Sequence, residues 1–153
     1  MKPKTYLSEI HRLKRMTLSL ERKIETLRHR AEGLKGITYD KDKVQTSPAN
    51  TIEAAVVELV DLETRLVEVS HRYAEAARIR TDQILDMDDP RYAELLFLRY
   101  VDDGKDGKGN TLADVADMMN YSMDWTRRLH GRALQAFGAK YMKEDTQRHK
   151  EKL

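Results

Sequence analysis

Three aspartates and three glycines crowd the nine residues Asp102–Asn110, which read DDGKDGKGN. Two chemistries use such a window. A calcium loop of the EF-hand type needs oxygen ligands at positions 1, 3 and 5, glycine at 6 and a bidentate glutamate at 12. Counted from Asp102, Asp106 and Gly107 fall correctly, but Gly104 stands third and Ala113 twelfth. A phosphate-cradling loop needs GxxxxGK followed by Ser or Thr, after a strand. Gly104 and Gly109 keep the glycine spacing, yet Asn110 and Thr111 replace the Lys and Ser/Thr, and the preceding segment is helical in pattern. Both chemistries fail, and the window reads as a flexible, polar connector between helices. The histidines, His11, His29, His71, His130 and His149, are scattered. Glu25/His29 and His71/Glu75 have i, i+4 helical spacing, but no third ligand joins either pair and no HExxH occurs. They read as solvated contacts on helix faces. There is no cysteine, no nucleophile elbow and no paired-carboxylate motif. Neither an enzyme nor a cofactor is expected.

What remains is charge, and it is unevenly spread. Residues 1–35 hold ten Lys and Arg against four acids, a balance of +6. Residues 50–101 hold six against eleven, or −5, and residues 102–119 two against five, or −3. Residues 120–153 hold eight against four, or +4. A basic C-terminal end attracts nucleic acid.

The elements that carry this charge follow from periodicity. Tyr6, Ile10, Leu13, Thr17, Leu20, Ile24, Leu27, Ala31 and Leu34 alternate by four and three, the seam of a coiled coil. Gly33 and Gly36 should end that helix, and GITYDKDKVQTSPAN should be a loop. Asn50 with Glu53 should cap a second helix, in which Ala55, Leu59, Leu62, Leu66, Val69, Tyr73 and Ala76 repeat the alternation. Two such helices should fold back as an antiparallel hairpin. Basic helix one either touches DNA or pairs with acidic helix two, within or between chains. Val56, Val60 and Val67 widen helix two's apolar face. They pack either on another hairpin, giving a homodimer or higher homo-oligomer, or on the C-terminal helices of the same chain.

A third helix should begin at DMDDPRY, with Asp89 as cap and Pro90 in the first turn. Its buried side is marked by Ala93, Leu96, Phe97 and Tyr100. In TLADVADMMNYSMDWTRRLHGRAL, Thr111 and Asp114 form a capping box, and Leu112, Val115, Ala116 and Met119 an apolar face. Asn120 suits a left-handed helix end, and Ser122 caps the next helix. Thr126, Leu129, Ala133, Leu134 and Phe137 face its core. Two short helices around a tight turn, the second with arginines on its outer side, predict a helix-turn-helix. The fold class expected is all-α: a long antiparallel helical hairpin over residues 1–88, a helix-turn-helix over 89–142 and a basic tail over 143–153. No apolar run approaches the ~20 residues of a membrane span and no apolar leader core is visible, so a cytoplasmic location is expected and no membrane.

LRY, a polar loop and then TLADVA…YSMDWTRRLHGRAL resemble region four of bacterial sigma factors over residues 91–137. Through ELLFLRYV and YS…RLHGRAL the chain also resembles ArpU/RinA-like phage regulators of late transcription. The resemblance implies binding to double-stranded DNA in a bacterial host cell and control of phage late genes. It implies that Met123, Asp124, Arg127 and Arg128 face the major groove, the arginines reaching guanine edges or phosphates. Asp124 accepts from cytosine N4 or serves the positive helix end. Trp125 either packs or lies beside the groove. Arg132, Lys140 and Lys143 would track phosphates, and Thr111 would add its backbone, with Ser122 at the start of the reading helix. Met123 stands where sigma factors carry arginine, so base preference should differ. Thr126 stands where an apolar residue is usual. Alternative functions are a small-terminase-like DNA-packaging oligomer and a protein-interaction module that binds RNA polymerase.

Overall fold

A computed structural model describes residues 1–35 and 48–142. The loop expected at residues 36–47 and the tail at 143–153, with Lys143, lie outside the described residues. Among the described residues there are five helices and no strand, so the fold is all-α. They are α1 (Pro3–Lys35), α2 (Pro48–Leu85), α3 (Pro90–Tyr100), α4 (Leu112–Met119) and α5 (Met123–Tyr141). None is long and apolar enough to cross a membrane.

Two expected boundaries move. Gly33 sits inside α1, which continues to Lys35, and a side chain there would meet nothing. The glycine therefore weakens the helix without ending it. The second long helix starts at Pro48, before the Asn50 expected to cap it. Proline is at home in a first turn because its missing N–H has no intrahelical partner to lose.

By proximity the chain forms two compact bodies. One comprises Leu13–Tyr73. In it Leu13, Ile24 and Leu27 of α1 are buried, and Leu59, Leu62, Leu66 and Val69 of α2 are half-buried. Arg28 Nη2 donates to Glu63 Oε1 at 2.6 Å, tying the two helices. Both groups are exposed, so this pair contributes little on its own.

The other body joins Met1–Arg12 with the chain from Ala74 onward. Its core is Leu7, Ile84, Met87, Leu95, Leu96, Tyr100, Val115, Leu129, Ala133 and Phe137. Here the start of α1 runs antiparallel to the end of α2. Tyr6 Oη donates to Gln83 Oε1 (2.9 Å), while Arg80 reaches the Tyr6 carbonyl (2.8 Å) and Glu9 Oε2 (2.6 Å). Arg80 is 8% exposed, and its guanidinium also stacks 3.9 Å from the Tyr6 ring centroid. Burial of that charge is tolerable because carboxylate, carbonyl and ring all face it. At the other end of this contact Pro3 lies against Gly138 of α5, where an added Cβ would stand 2.8 Å from Pro3 Cγ. Only glycine leaves room for the Pro3 ring to sit so close to the α5 backbone.

Helices α3, α4 and α5 pack pairwise on one another. Asp89 caps α3, its side chain accepting from the Arg91 N–H at 2.9 Å. Leu95 is fully buried together with the expected Leu96 and Tyr100, and Ala93 and Phe97 are half-buried against the core.

Candidate nucleic-acid interface

The segment that positions the arginines is held at both ends by caps. Thr111 Oγ1 accepts from the Asp114 N–H (3.2 Å), and the Thr111 N–H donates back to Asp114 Oδ2 (2.8 Å). Asn120 ends α4 at φ 55°, ψ 42°, the left-handed region that asparagine tolerates better than most side chains. Ser122 then opens α5, its Oγ accepting from the Trp125 N–H at 3.2 Å. With Asn120, Tyr121 and Ser122 as the whole connection, α5 must leave at an angle close to α4. Val115 and Ala116 on one helix and Thr126, Leu129, Ala133 and Phe137 on the other are buried. Thr126 is fully buried without a polar orphan, because its hydroxyl donates to the Ser122 carbonyl at 2.9 Å.

This packing sorts the candidate residues. Asp124, Arg127, Arg128 and Arg132 are exposed on the side of α5 away from the core, and Ser122 and Thr111 are exposed at the two helix starts. Arg127 Nη1 lies 3.6 Å from Asp124 Oδ1, a solvent-facing pair that a stronger anion can break. Met123 and Trp125 are half-buried. Trp125 packs on the core cluster, and the Arg132 guanidinium stands 5.6 Å from its ring centroid. Lys140 is engaged within the chain. Its Nζ donates to the Asp86 carbonyl (2.6 Å) and pairs with Asp86 Oδ2 and Asp88 Oδ1, both at 3.3 Å. Tyr141 Oη donates to Asp86 Oδ2 at 2.8 Å. Hydrogen bonds from Tyr141, then Lys140, hold the Asp86 carboxyl below the usual carboxylate range.

A polar pair behind the arginines was not visible in the sequence. Tyr100 Oη and His130 Nε2 share a hydrogen bond of 2.8 Å, with the rings stacked at 5.9 Å. Burial, with added repulsion from Arg99 and Lys4, pushes His130 down to about 4. At neutral pH the imidazole is therefore uncharged, and the cations of α5's outer side are arginines. The glycine window that precedes α4 is tied down rather than loose. Asn110, 7% exposed, donates from Nδ2 to the Leu98 carbonyl and to Asp102 Oδ2, each at 2.8 Å, and its own carbonyl accepts from Arg99 Nη1 at 2.9 Å. The Gly109 N–H donates to the Asp103 carbonyl at 2.7 Å. The Asp102 carboxylate is thus turned inward to Asn110, which anchors the loop to the end of α3 and sets where α4 begins.

Comparison with protein-family models, with curated proteins and with solved structures finds no match for this chain.

Proposed function

We propose that the chain is a sequence-specific DNA-binding regulator of transcription, of the phage late-gene kind. In this reading α4, the Asn120–Ser122 turn and α5 are a helix-turn-helix with α5 as the reading helix. Helices α1 and α2 form a long antiparallel hairpin that brings two or more copies together. The observation that carries the proposal is the division of α5. One side is core, and the opposite side offers Arg127, Arg128 and Arg132 on a helix fixed at its start by Ser122 and the left-handed Asn120. Guanidinium groups suit both the N7/O6 edge of guanine and phosphate oxygens. Gly131, exposed on the same side with nothing near an added Cβ, leaves bare backbone where a duplex would come closest. Lys140, held by Asp86 and Asp88, has a supporting role: it docks the end of α5 to the end of α2.

The test begins with selection of bound sequences from random duplexes. Arg127→Ala or Arg128→Ala should then weaken the selected site by about 1–3 kcal/mol and relax preference at one base pair. Arg132→Ala should weaken all duplexes alike and lower the salt slope by about one. Thermal stability should stay as in wild type, because these side chains are exposed. If both Arg127→Ala and Arg128→Ala keep the original sequence preference, α5 is not the reader.

A further inference from the structure

Helix α2 carries a second seam. Val57, Val60, Thr64, Val67 and His71 alternate by three and four, and every one of them is exposed. Each stands two residues before a member of the first seam (Leu59, Leu62, Leu66, Val69, Tyr73), which is half-buried toward α1. Two residues are about 200° of helix, so the second seam lies on the opposite side of α2. Val57 is 69% exposed, Val60 58% and Val67 56%, with Val56 beside them at 49%. Four valines in three turns of one solvent-facing side are a contact surface without a cover inside this body. β-branched residues at alternating positions are also what a helix–helix seam uses.

The charges beside the stripe decide what can cover it. Asp61 and Glu68 border it on one side and Glu63 on the other. If α2 met a second α2 in parallel, Glu63 of one copy would face Glu68 of the other. In antiparallel pairing, acids would again meet acids across each border. Self-pairing of α2 is therefore penalised at its flanks. Helix α1 has the opposite character. Its outer side carries Leu18, 44% exposed. Leu18's neighbours one turn away are Lys14, Arg15, Glu21 and Arg22, three cations to one acid. Arg15 and Arg22 are exposed.

We infer that the valine side of α2 is the interface with a second copy of this chain, and that it receives the partner's basic α1 around Leu18, not the partner's α2. Because these two faces lie on opposite sides of the hairpin, the contact runs head-to-tail, α2 of one copy on α1 of the next. The inference rests on the oligomeric part of the proposed function and adds which faces meet. It is independent of DNA.

Two double variants test it by charge exchange, with solution mass followed by sedimentation equilibrium across a concentration series at low salt and without DNA. Wild type should self-associate. Arg15→Glu/Arg22→Glu and Asp61→Lys/Glu68→Lys should each raise the dissociation constant on the order of tenfold or more. Mixed in equal amounts, the two should associate about as well as wild type with itself, because every contact between unlike variants joins opposite charges. Val60→Asp should weaken association as well. Helicity should be unchanged in all of them, since the positions are exposed; if a double variant loses helicity, Arg22→Glu and Glu68→Lys singly take its place. The inference is overturned by a wild type that stays monomeric. It is equally overturned if neither charge variant changes the mass. It also fails if the lysine variant pairs with wild type while the glutamate variant is neutral, for that pattern means α2 on α2. Because no DNA is present, a failure here leaves the reading role of α5 standing, and loss of that role leaves this interface standing.

Discussion

Protonating His130 means charging an imidazole that is mostly covered, bonded to Tyr100 and repelled by Arg99 and Lys4. Its folded value of about 4 lies below the ordinary 6.5. The unfolded chain therefore takes up this proton first as pH falls. His130's contribution to stability is complete above about 6.5, declines as pH drops from there to about 4, and changes no further below. The check is denaturant unfolding at several pH values between 7 and 4 for wild type and His130→Gln. The variant should lack the part of the decline that wild type shows in this window. Equal slopes would mean that His130 is solvated in the folded state.

At the scale of elements, the turn between α4 and α5 depends on one backbone conformation. A non-glycine residue in the left-handed region costs about 1–2 kcal/mol unless its side chain compensates locally, as asparagine's does. Asn120→Ala should therefore lower stability by roughly 1 kcal/mol, and Asn120→Gly should leave it equal or slightly higher. Circular dichroism melts of the two variants decide it; an alanine variant as stable as the glycine one would deny the turn its strain. This turn was legible in the sequence because caps are local. Asp89, Thr111 with Asp114, Asn120 and Ser122 each act on groups within three or four residues. The seam of α1 was legible for the same reason, through its period. What escaped depends on partners distant in the chain. Leu7 is off the alternation that includes Tyr6, yet it is fully buried against the core of α3–α5. Tyr100 and His130 meet across 30 residues with no motif between them. Of the candidate site, the exposure of Arg127, Arg128 and Arg132 followed from counting round the helix from Ser122. The engagement of Lys140 by Asp86 and Asp88 did not, because it joins residues 54 and 52 apart.

For the molecule as a whole, the first dozen residues belong to the same body as the arginine-bearing helix. Leu7 is completely buried there, and Tyr6 packs 6.0 Å from Phe137, centroid to centroid. Leu7→Ala should thus lower stability by about 2–5 kcal/mol, as removal of a core side chain does. The single tryptophan, Trp125 on α5, gives a probe far from the substitution in sequence but in the same body. Its fluorescence transition should shift to lower denaturant together with the helicity. If Trp125 unfolds as in wild type while helicity falls early, the start of α1 is an appendage and not part of that cooperative body. Val60→Ala, by contrast, should change the stability of the dissociated chain by no more than about 0.5 kcal/mol, because the side chain is exposed there.

The seat of Pro3 against Gly138 also fixes an order of events during synthesis. Pro3 leaves the ribosome well before the glycine it rests on, which is among the last residues of α5 to be made. At roughly 5–20 residues per second, the start of α1 waits on the order of ten seconds for the surface that covers it. Through that interval Leu7 has no native cover from α5, and early pairing with the end of α2 would shield it. Assembly of this body thus closes only when α5 has emerged, so a nascent chain stalled before α5 leaves Leu7 without that part of its cover.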